Sequence, residues 1–430
     1  MKLLSARKAF LSGSSVFLLL TMILDLEAQT YSITDLGSNS WSYSEAHGIN
    51  GVGSVVGEYE STTVFYVLAF LYDGGAISEL GHLGGTPYAV AYGINDNNKV
   101  VGESGTANTT HAFVYSNGTM TDLGTLGGNN NPSSYSSAHA INRAGAIVGA
   151  SSVSFNQAGT IHAVLYSGTA KTDLGALDGD YSSANAINNL NVIVGESDVI
   201  IQGTTNVHAL VYTNGALHDL GTLGGGYSSA KGINDSGLII GEAETVLGGV
   251  TNLHAFLYRN GSMSDLGTLG GSSSSASAIN SSGQVVGYAT DTSEVSNAFL
   301  YDGSRMLNLS NFIPSGSGWT NLTSADALND VGQIAGSGYL ADGSFHAFLL
   351  TPTIIVVAPI IISNAIFNES GFSFSFATQT GVQYQGQFSS PLAATNNWLT
   401  FTNVSGNGST IRITDATASK AERFYRVVAH

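Results

Sequence analysis

Short apolar segments alternate along most of the chain with clusters of glycine, asparagine and serine. Four kinds of segment recur in a fixed order, here called a (as in AHAIN), b (AIVG), c (HAFVY) and d (MTDLG). They are short, apolar and rich in β-branched residues, which predicts strands. Segment a ends in an asparagine that recurs every 45 to 49 residues, at Asn50, Asn95, Asn142, Asn188, Asn234, Asn280 and Asn329. The pattern therefore predicts seven units of four strands, an all-β fold typical of a seven-bladed β-propeller.

The connection from a to b carries the residues of a tight hairpin turn in every unit. The third residue after each repeated asparagine is glycine or asparagine, the two residue types that most readily take a positive φ. These residues are Gly53, Asn98, Gly145, Asn191, Gly237, Gly283 and Gly332. Several c to d connections contain a second such turn, as in YSNGTM at 115–120. We therefore expect antiparallel hairpins throughout the repeats.

The repeated region begins and ends in the middle of a unit. A lone d segment, YSITDLG at 31–37, precedes the first complete unit, and a lone c segment, HAFLL at 346–350, ends the last one. Pairing of the two segments would complete the seventh unit and close the ring, which removes exposed sheet edges. We therefore predict a closed propeller at 29–352 and a monomeric protein. An open solenoid also tolerates such repeats and is the structural alternative.

The regions outside the repeats predict a signal peptide and a second domain. Residues 1–28 have a basic start, an apolar run and Ala28 before Gln29, the pattern of a cleaved secretory signal. An uncleaved anchor is the alternative. The apolar stretch at 353–363 is too short to span a membrane. Residues 353–430 contain segments with alternating polarity, which predicts a C-terminal β-sandwich. We expect an extracellular or cell-surface protein with no membrane span after signal cleavage.

Composition excludes several classes of function. Charged residues make up only 10% of the chain, and the net charge is −17. An acidic surface repels phosphate groups, so we expect no nucleic-acid partner. The chain contains no cysteine. Disulfides, thiolate metal sites and a cysteine nucleophile are therefore excluded.

The succession of AxAIN, IVG, HAF and DLGTLGG over residues 31–351 resembles a bacterial extracellular repeat family named for its HAF tripeptide. That resemblance implies export and repeats, without an assigned activity. The strand order is also similar to that of kelch propellers, with a glycine closing b and an aromatic in c, although the kelch double glycine and tryptophan are missing. Segments such as FSFSFAT, WLTFTNV and ERFYRVV resemble a fibronectin-III-like sandwich of the kind appended to secreted bacterial proteins.

A histidine recurs at the start of segment c, and an aspartate follows eleven residues later in segment d. We predict hydrogen-bonded pairs that hold c against d. The pairs are His111 with Asp122, His162 with Asp173, His208 with Asp219, His254 with Asp265 and, across the chain ends, His346 with Asp35. Where the histidine is replaced, by Leu68 or Asn297, its partner also changes, to Glu79 or Asn308. A plain two-residue turn would instead place Asp122 opposite Phe113.

Known catalytic motifs are missing from the sequence. It contains no G-x-S-x-G elbow, no H-E-x-x-H, no phosphate-binding loop and no sialidase box. Only three tryptophans are present, which excludes a lectin ring with one tryptophan in each blade. Equivalent histidines of neighbouring blades lie too far apart to share a metal ion, so we predict no metal site on them. Calcium binding by the loop carboxylates of Asp178 and Asp180 stays an alternative, and no other cofactor is expected.

The units differ most in two places, which is where specificity would reside. The first is the middle residue of segment a, which is His47, Tyr92, His139, Asn185, Lys231, Ser277 or Asp326. The second is the b to c connection. Loops on a rigid scaffold change without disturbing it, and the b to c and d to a connections project from one face of a propeller. We predict that partners bind this face. The predicted contacts are Tyr59, Phe65, Phe155 and Tyr339, with Glu196, Glu242 and Glu244 as acidic ones.

These observations favour a secreted, non-enzymatic protein that binds an extracellular glycan or protein. A polysaccharide hydrolase or lyase is the first alternative, and it would need two or three carboxylates converging on one face. Segment a offers only Asp326 for that purpose. A matrix component without a discrete ligand is the third hypothesis.

Overall fold

The structure, a computed structural model, describes residues 17–18, 30–37, 41–62, 66–107, 109–128, 134–153, 159–353, 362–378, 383–389, 399–418 and 423–429. Within these ranges the fold is all β apart from one short 3₁₀ helix, Leu309–Phe312. The predicted signal peptide and its cleavage site lie outside the described residues, except for Phe17–Leu18, and stay predictions. In the described part of the chain, no helix is both long and apolar enough to cross a membrane.

The chain divides into two compact units, one of which spans Tyr31–Pro352 and contains all the repeats. The strands up to the end of the repeats are β1 Phe17–Leu18, β2 Thr30–Asp35, β3 Trp41–Ile49, β4 Val55–Ser61, β5 Val67–Asp73, β6 Ala76–Gly81, β7 Ala89–Ile94, β8 Val100–Gly105, β9 Thr110–Ser116, β10 Thr119–Asp122, β11 Ser136–Ile141, β12 Ile147–Ser152, β13 Ile161–Ser167, β14 Ala170–Asp173, β15 Ser182–Ile187, β16 Ile193–Ile201, β17 Thr204–Thr213, β18 Ala216–Asp219, β19 Gly224–Ile233, β20 Ile239–Leu247, β21 Val250–Arg259, β22 Ser262–Asp265, β23 Gly270–Ile279, β24 Val285–Asp291, β25 Ser296–Tyr301, β26 Met306–Asn308, β27 Trp319–Leu328, β28 Ile334–Leu340 and β29 Phe345–Thr353.

Each complete repeat forms an antiparallel sheet whose strands pair in the order a, b, c, d, as β7 to β10 and β11 to β14 do. This is the blade of a β-propeller. In the last repeat, strands a to c are β27, β28 and β29, and the fourth strand on β29 is β2 from the start of the chain. The backbone N–H of Leu36 donates to the carbonyl of Ala347 at 2.9 Å, which continues this pairing. The split repeat is therefore completed by its two halves.

The hairpin turns follow the predicted chemistry. All seven residues at the third position after the repeated asparagine have a positive φ, between 54° at Asn98 and 91° at Gly53, which confirms that prediction. The c to d turn between β9 and β10 consists of two residues, Asn117 and Gly118, with φ of 52° and 79°. These values are typical of a type I′ turn, whose twist suits a two-residue hairpin.

Every strand a contains a β-bulge at its middle residue. In β11, Ala138 pairs with Gly149 and Ala140 with Val148, so that His139 has no partner in the ladder. The same register shift occurs in the other six units. The bulge explains the glycine that closes every strand b, because a Cβ atom on Gly149 would collide with the carbonyl oxygen of Ser137. Bulges turn a side chain away from its regular face, and here they do so at the most variable position of the repeat.

The core lies between neighbouring sheets. One cluster combines Ile240 and Ala255 of the fifth repeat with Ala276, Val285 and Phe299 of the sixth. The phenylalanine of segment c is fully buried wherever it occurs, at Phe70, Phe113, Phe256, Phe299 and Phe348. Because each sheet covers the apolar face of the next, burial of this surface stabilises the whole array and not single repeats.

A serine early in strand a connects each of several repeats to the preceding one. The Oγ atom of Ser136 accepts a hydrogen bond from the N–H of Ala112 at 2.9 Å and donates one to the carbonyl of Gly124 at 2.9 Å. Ser182, Ser228 and Ser274 make the same two bonds. These buried hydroxyls satisfy backbone groups where segment d turns toward the next strand a.

The repeated asparagines form a continuous series of hydrogen bonds at the a to b turns. The Nδ2 atom of each donates to the backbone carbonyl of the next, from Asn50 to Asn95 (3.3 Å) and onwards to Asn329. Asn329 in turn donates to the carbonyl of Asn50 at 3.1 Å, so the series returns to its start. Their Oδ1 atoms accept from the residue four positions later and thereby hold each turn, as Asn188 does with Val192 at 2.9 Å. The residues around this series line a cavity of about 330 Å³.

The second compact unit includes Thr353–His430. Its strands are β30 Ser363–Asn368, β31 Gly371–Ala377, β32 Gln383–Ser389, β33 Leu399–Ser405, β34 Thr410–Asp415 and β35 Phe424–Ala429. They form two sheets, one with the order β30-β31-β34 and one with the order β1-β35-β32-β33. Side chains of both sheets share one apolar cluster, in which the rings of Phe372 and Tyr425 stack with centroids 4.4 Å apart.

Candidate functional site

The structure places every predicted histidine next to its aspartate. The Nδ1 atoms of His111, His162 and His254 lie 2.9, 2.8 and 2.8 Å from carboxylate oxygens of Asp122, Asp173 and Asp265. His208 and Asp219 are 2.9 Å apart, and so are His346 and Asp35 from opposite ends of the repeats. The Nε2 atoms of His111 and His208 are buried without a partner among the described residues.

The aspartate of each pair has a second partner. Asp122 lies opposite Phe113 in the strand ladder, as a two-residue turn requires, and its side chain reaches His111 two positions along the same face. Its other oxygen accepts from the N–H of Gly124 at 2.6 Å. Burial opposes the charged form, but the hydrogen bonds from His111 and Gly124 hold the pKa of Asp122 below its usual value. The pair thus fixes both strand c and the turn that follows strand d.

The first and sixth repeats lack the histidine–aspartate pair and form other hydrogen bonds in its place. In the sixth repeat, Nδ2 of Asn308 donates to Oδ1 of Asn297 at 3.0 Å, and Oδ1 of Asn308 accepts from the N–H of Ser310. An amide pair therefore joins the same two positions as imidazole and carboxylate do, with the direction of the hydrogen bond between the side chains reversed. In the first repeat, Glu79 hydrogen-bonds to the hydroxyl of Tyr59 instead.

The predicted binding residues differ in their exposure to solvent. Tyr59 is 1% exposed and stacks on Trp41 with ring centroids 4.2 Å apart, so its assignment as a surface contact is wrong. Tyr339 is 47% exposed and lies against Phe345. Phe65 and Phe155 lie outside the described residues.

The three predicted acidic contacts also lie elsewhere than expected. Glu196, Glu242 and Glu244 belong to strands β16 and β20 and not to loops, because strands b and c continue pairing to a two-residue turn. Glu244 accepts from the N–H of Gly226 at 2.9 Å. Glu196 and Glu242 directly follow the glycine that recurs at the same position of every strand b, and both pair with residues of strand a. The sequence placed these residues in loops because polar threonines and asparagines at the strand ends look like loop residues, and their role as binding contacts stays a prediction.

The bulged residues of strand a contact the next repeat. His47 and Tyr92 have ring centroids 5.7 Å apart, and Tyr92 and His139 are 5.9 Å apart. Further along, Asn185 donates to the carbonyl of Ala230 at 3.1 Å, and Lys231 donates to Ser275 at 2.9 Å. Strand a is the innermost strand of a propeller blade. The variable position identified in the sequence therefore lies where the strands a of neighbouring repeats meet.

A series of tyrosines and glutamates lies at the start of strand a in the first five repeats and beside it, and we call it the channel mouth. It consists of Tyr43, Tyr88, Tyr135, Tyr181 and Tyr227 from strand a or the residue before it, with Glu45, Glu58, Glu103, Glu196 and Glu242. Tyr88 and Tyr135 donate to Glu103 at 2.7 and 3.1 Å. Tyr181 donates to Glu196 at 2.6 Å, and Tyr227 donates to Glu242 at 3.2 Å. Because Tyr135 and Glu103 belong to different repeats, the site is continuous between blades.

The channel mouth is acidic and partly shielded from water. Burial, with a contribution from the charges of Glu45 and Glu103, raises the pKa of Glu58 to about 7. Burial, reinforced by the charge of Glu45 and opposed by a hydrogen bond from Ser324, raises the pKa of Asp326 to about 7. The ammonium group of Lys231 forms an ion pair with Glu242 at 2.8 Å. Carboxylates of several repeats therefore converge, which the sequence reasoning missed because it considered only segment a.

A signal for these carboxylates was present in the sequence. Glutamate directly follows the glycine of strand b in four of the seven repeats, at Glu58, Glu103, Glu196 and Glu242. Among the described residues, one group has the composition and spacing of a metal site, Glu45, His47 and Glu58. Asp178 and Asp180 are exposed and do not belong to it, so calcium at these two residues stays a prediction.

The repeated four-stranded antiparallel sheets, each packed against the next, define a β-propeller protein. Residues 178–409, more than half of the chain, match a family described as "Protein of unknown function (DUF3466)". The chain belongs to this family. No curated protein matches its sequence.

Several solved structures are similar to this chain. The β-propeller domain of the Trilobed protease from Pyrococcus furiosus has 10% identity and a TM-score of 0.47, and the match covers 75% of this chain and 94% of that one. The acylaminoacyl peptidase of Pyrococcus horikoshii has 8% identity and a TM-score of 0.45, with 90% and 66% covered. The Aleuria aurantia lectin, solved with Fucα1-6GlcNAc, has 11% identity and a TM-score of 0.27, with 67% and 98% covered.

Proposed function

We propose that this chain is an exported, non-enzymatic binding protein whose channel mouth binds a neutral glycan. The observation that carries the proposal is the pairing of strand a tyrosines with strand b glutamates in successive repeats. The proposed form is a closed, seven-bladed propeller with a signal peptide at 1–28 and a fibronectin-III-like sandwich at 353–430. The return of the asparagine series from Asn329 to Asn50 supports closure.

The chemistry of the channel mouth suits a polyhydroxylated ligand. A carboxylate has two oxygens with about four acceptor positions, so one tyrosine bond leaves Glu196 able to accept from ligand hydroxyls. Such charge-assisted bonds are stronger than neutral ones. Tyrosine adds a flat apolar face with a polar tip, which suits the mixed surface of a sugar ring. The excess of carboxylates would repel anionic polysaccharides, so the proposed ligand is neutral.

The side chains of the channel mouth are held in fixed positions before any ligand binds. Glu196 lies on β16 directly opposite Ser183 of β15, and Glu242 lies opposite Ser229 of β19. Tyr181 donates to Glu196 and Tyr227 to Glu242 within one repeat. Tyr135 of the third repeat donates to Glu103 of the second and so joins two repeats. Groups that are already positioned lose little conformational freedom on binding. The variable bulged residues deeper in the channel would then determine which glycan fits.

A glycan array with the mature chain, residues 29–430, tests the proposal. We expect binding to neutral oligosaccharides that is lost in a variant with Tyr181→Phe and Glu196→Gln. Tyr212→Phe, on strand c away from the channel mouth, is the matched control and should bind normally. Replacement of residues 246–251 by a Gly-Ser link tests the outer hairpins, and it should also leave binding intact.

Three outcomes would contradict this proposal. The first is that no neutral glycan binds. The second is loss of binding in the hairpin variant alone, which would assign the ligand to the b to c connections. The third is binding that survives the channel variant and disappears when residues 353–430 are removed, which would make the C-terminal unit the binding module.

A polysaccharide hydrolase is the second candidate, and the convergence of carboxylates favours it. Oxygen atoms of Glu45 and Glu58 lie within 4.8 Å of each other, and retaining glycosidases use two carboxyl groups about 5 Å apart. The raised pKa of Glu58 is what a general acid requires. Incubation of bound oligosaccharides with the mature chain should release shorter products, and Glu58→Gln should abolish this release, if the protein is an enzyme.

A further inference from the structure

Two glutamates of the first repeat face each other directly in the inner hairpin. Glu45 of β3 and Glu58 of β4 are partners in the antiparallel ladder. Like charges in this arrangement repel each other and destabilise a strand pair. The equivalent pairs of the fourth and fifth repeats are Ser183 with Glu196 and Ser229 with Glu242, so the double glutamate is specific to the first repeat. A positive charge between the two carboxylates would remove their repulsion.

His47 completes the group and has an unsatisfied nitrogen. It is the bulged residue of β3, two positions after Glu45, and its Nε2 atom is buried without a hydrogen-bond partner among the described residues. The corresponding histidine of the third repeat, His139, has its Nδ1 atom 3.0 Å from the carbonyl of Ala184. One potential ligand atom from each of Glu45, His47 and Glu58 lies within 4.8 Å of the other two. A buried polar atom without a hydrogen-bond partner lowers the stability of the fold, and a ligand bound to this nitrogen would restore it.

We propose that Glu45, His47 and Glu58 bind one divalent transition-metal ion at the channel mouth. The donor set indicates which metals fit. Imidazole nitrogen suits zinc, iron and nickel, carboxylates also suit manganese, and calcium prefers an all-oxygen set. With three protein ligands, a zinc or manganese ion keeps open positions for water or for hydroxyls of a ligand.

Surrounding residues hold the proposed ligands in place. The hydroxyl of Tyr43 hydrogen-bonds to Glu45, and the ring of Tyr92 packs 5.7 Å from that of His47. Such outer contacts orient metal ligands and tune their affinity. The site lies on the first repeat, whereas the glycan contacts that the proposed variant and crystal structure test, at Tyr181, Glu196, Tyr227 and Glu242, lie on the fourth and fifth repeats. The metal proposal therefore goes beyond the proposed function and does not depend on it.

Isothermal titration of the chelator-treated mature chain with Zn²⁺ and with Mn²⁺, in the absence of any glycan, tests this site. We expect one equivalent of tightly bound metal, with Ca²⁺ binding at least about tenfold more weakly. His47→Ala and Glu58→Gln should each weaken Zn²⁺ binding at least about tenfold, because each removes one of three ligands. His139→Ala, at the same strand position in the third repeat, is the matched control and should bind as the unchanged protein does.

A spectroscopic signal separates this site from the other histidines of the chain. Co²⁺ substituted at the site should give a visible absorption band that is present in the unchanged protein and in His139→Ala but missing in Glu58→Gln. The result that would overturn the proposal is Zn²⁺ binding with unchanged stoichiometry and affinity in both His47→Ala and Glu58→Gln, or no binding by the unchanged protein. Since the titration contains no glycan, its failure would leave the glycan proposal standing, and the reverse also holds.

Discussion

At the residue scale, Asp265 has two partners at once. Its carboxylate lies 2.8 Å from Nδ1 of His254 and accepts the N–H of Gly267 at 2.7 Å, so one side chain fixes a strand and the following turn. The pairing could be predicted because histidine and aspartate change together among the repeats of one sequence, as at Asn297 and Asn308. The glutamate that follows the glycine of segment b recurs visibly in four repeats, but its convergence with residues of other repeats could not be predicted, since segment b alone does not show which residues of the next repeat it meets.

The first prediction is that His254→Ala lowers the free energy of unfolding by about 1–2 kcal/mol, since it leaves Asp265 with one partner fewer in a half-exposed position. The loss in the double variant with Asp265→Asn should be less than additive. Replacing both residues by asparagine copies the sixth repeat and should restore most of the stability. Denaturant unfolding checks this series. Fully additive losses would mean that the two side chains act independently.

At the element scale, the bulge of strand a decides both packing and function. It forces glycine into strand b, and it turns the middle residue toward the next repeat. The hydrophobic pattern predicted the strands and their turns, because glycine and asparagine mark positive φ directly. It did not predict the bulge, since an unpaired residue leaves no mark in the polarity of a six-residue strand.

The second prediction follows from this bulge. Gly195→Ala should destabilise the chain by about 1–3 kcal/mol, because the new Cβ atom overlaps the carbonyl oxygen of Ser183 in the bulged strand. Gly215→Ala is the matched control, with a φ of 80° but no atom within 4 Å of the new Cβ, and should lose only about 1 kcal/mol. Thermal melting compares the two variants. Equal losses would indicate that the bulge relaxes at no cost.

At the scale of the whole molecule, the two ends of the repeats are joined through one sheet. Tyr31 of strand β2 and Leu36, directly after it, are buried, and β2 pairs with β29. This arrangement was predictable from the missing half-units at both ends, because an unpaired edge invites association with other chains. The role of the second compact unit could not be predicted in this way, because its strands are not copies of a repeated unit that could be compared with one another.

The third prediction is that a chain beginning at Trp41 melts at a markedly lower temperature than the mature chain beginning at Gln29. It lacks the buried Tyr31 and Leu36, and it exposes the edge of β29. Size-exclusion chromatography should detect self-association of the shortened chain, which the mature chain should not show. A shortened chain that is monomeric and equally stable would rule out closure by β2.

The channel mouth as the binding site is the central claim, and a crystal structure of the mature chain with a bound oligosaccharide tests it most directly. We predict electron density for the sugar between Tyr181 and Tyr227, with its hydroxyls donating to Glu196 and Glu242. The double change Tyr181→Phe and Glu196→Gln should remove that density under the same conditions. Sugar bound to the outer b to c hairpins or to residues 353–430, with the channel mouth empty, would contradict the claim.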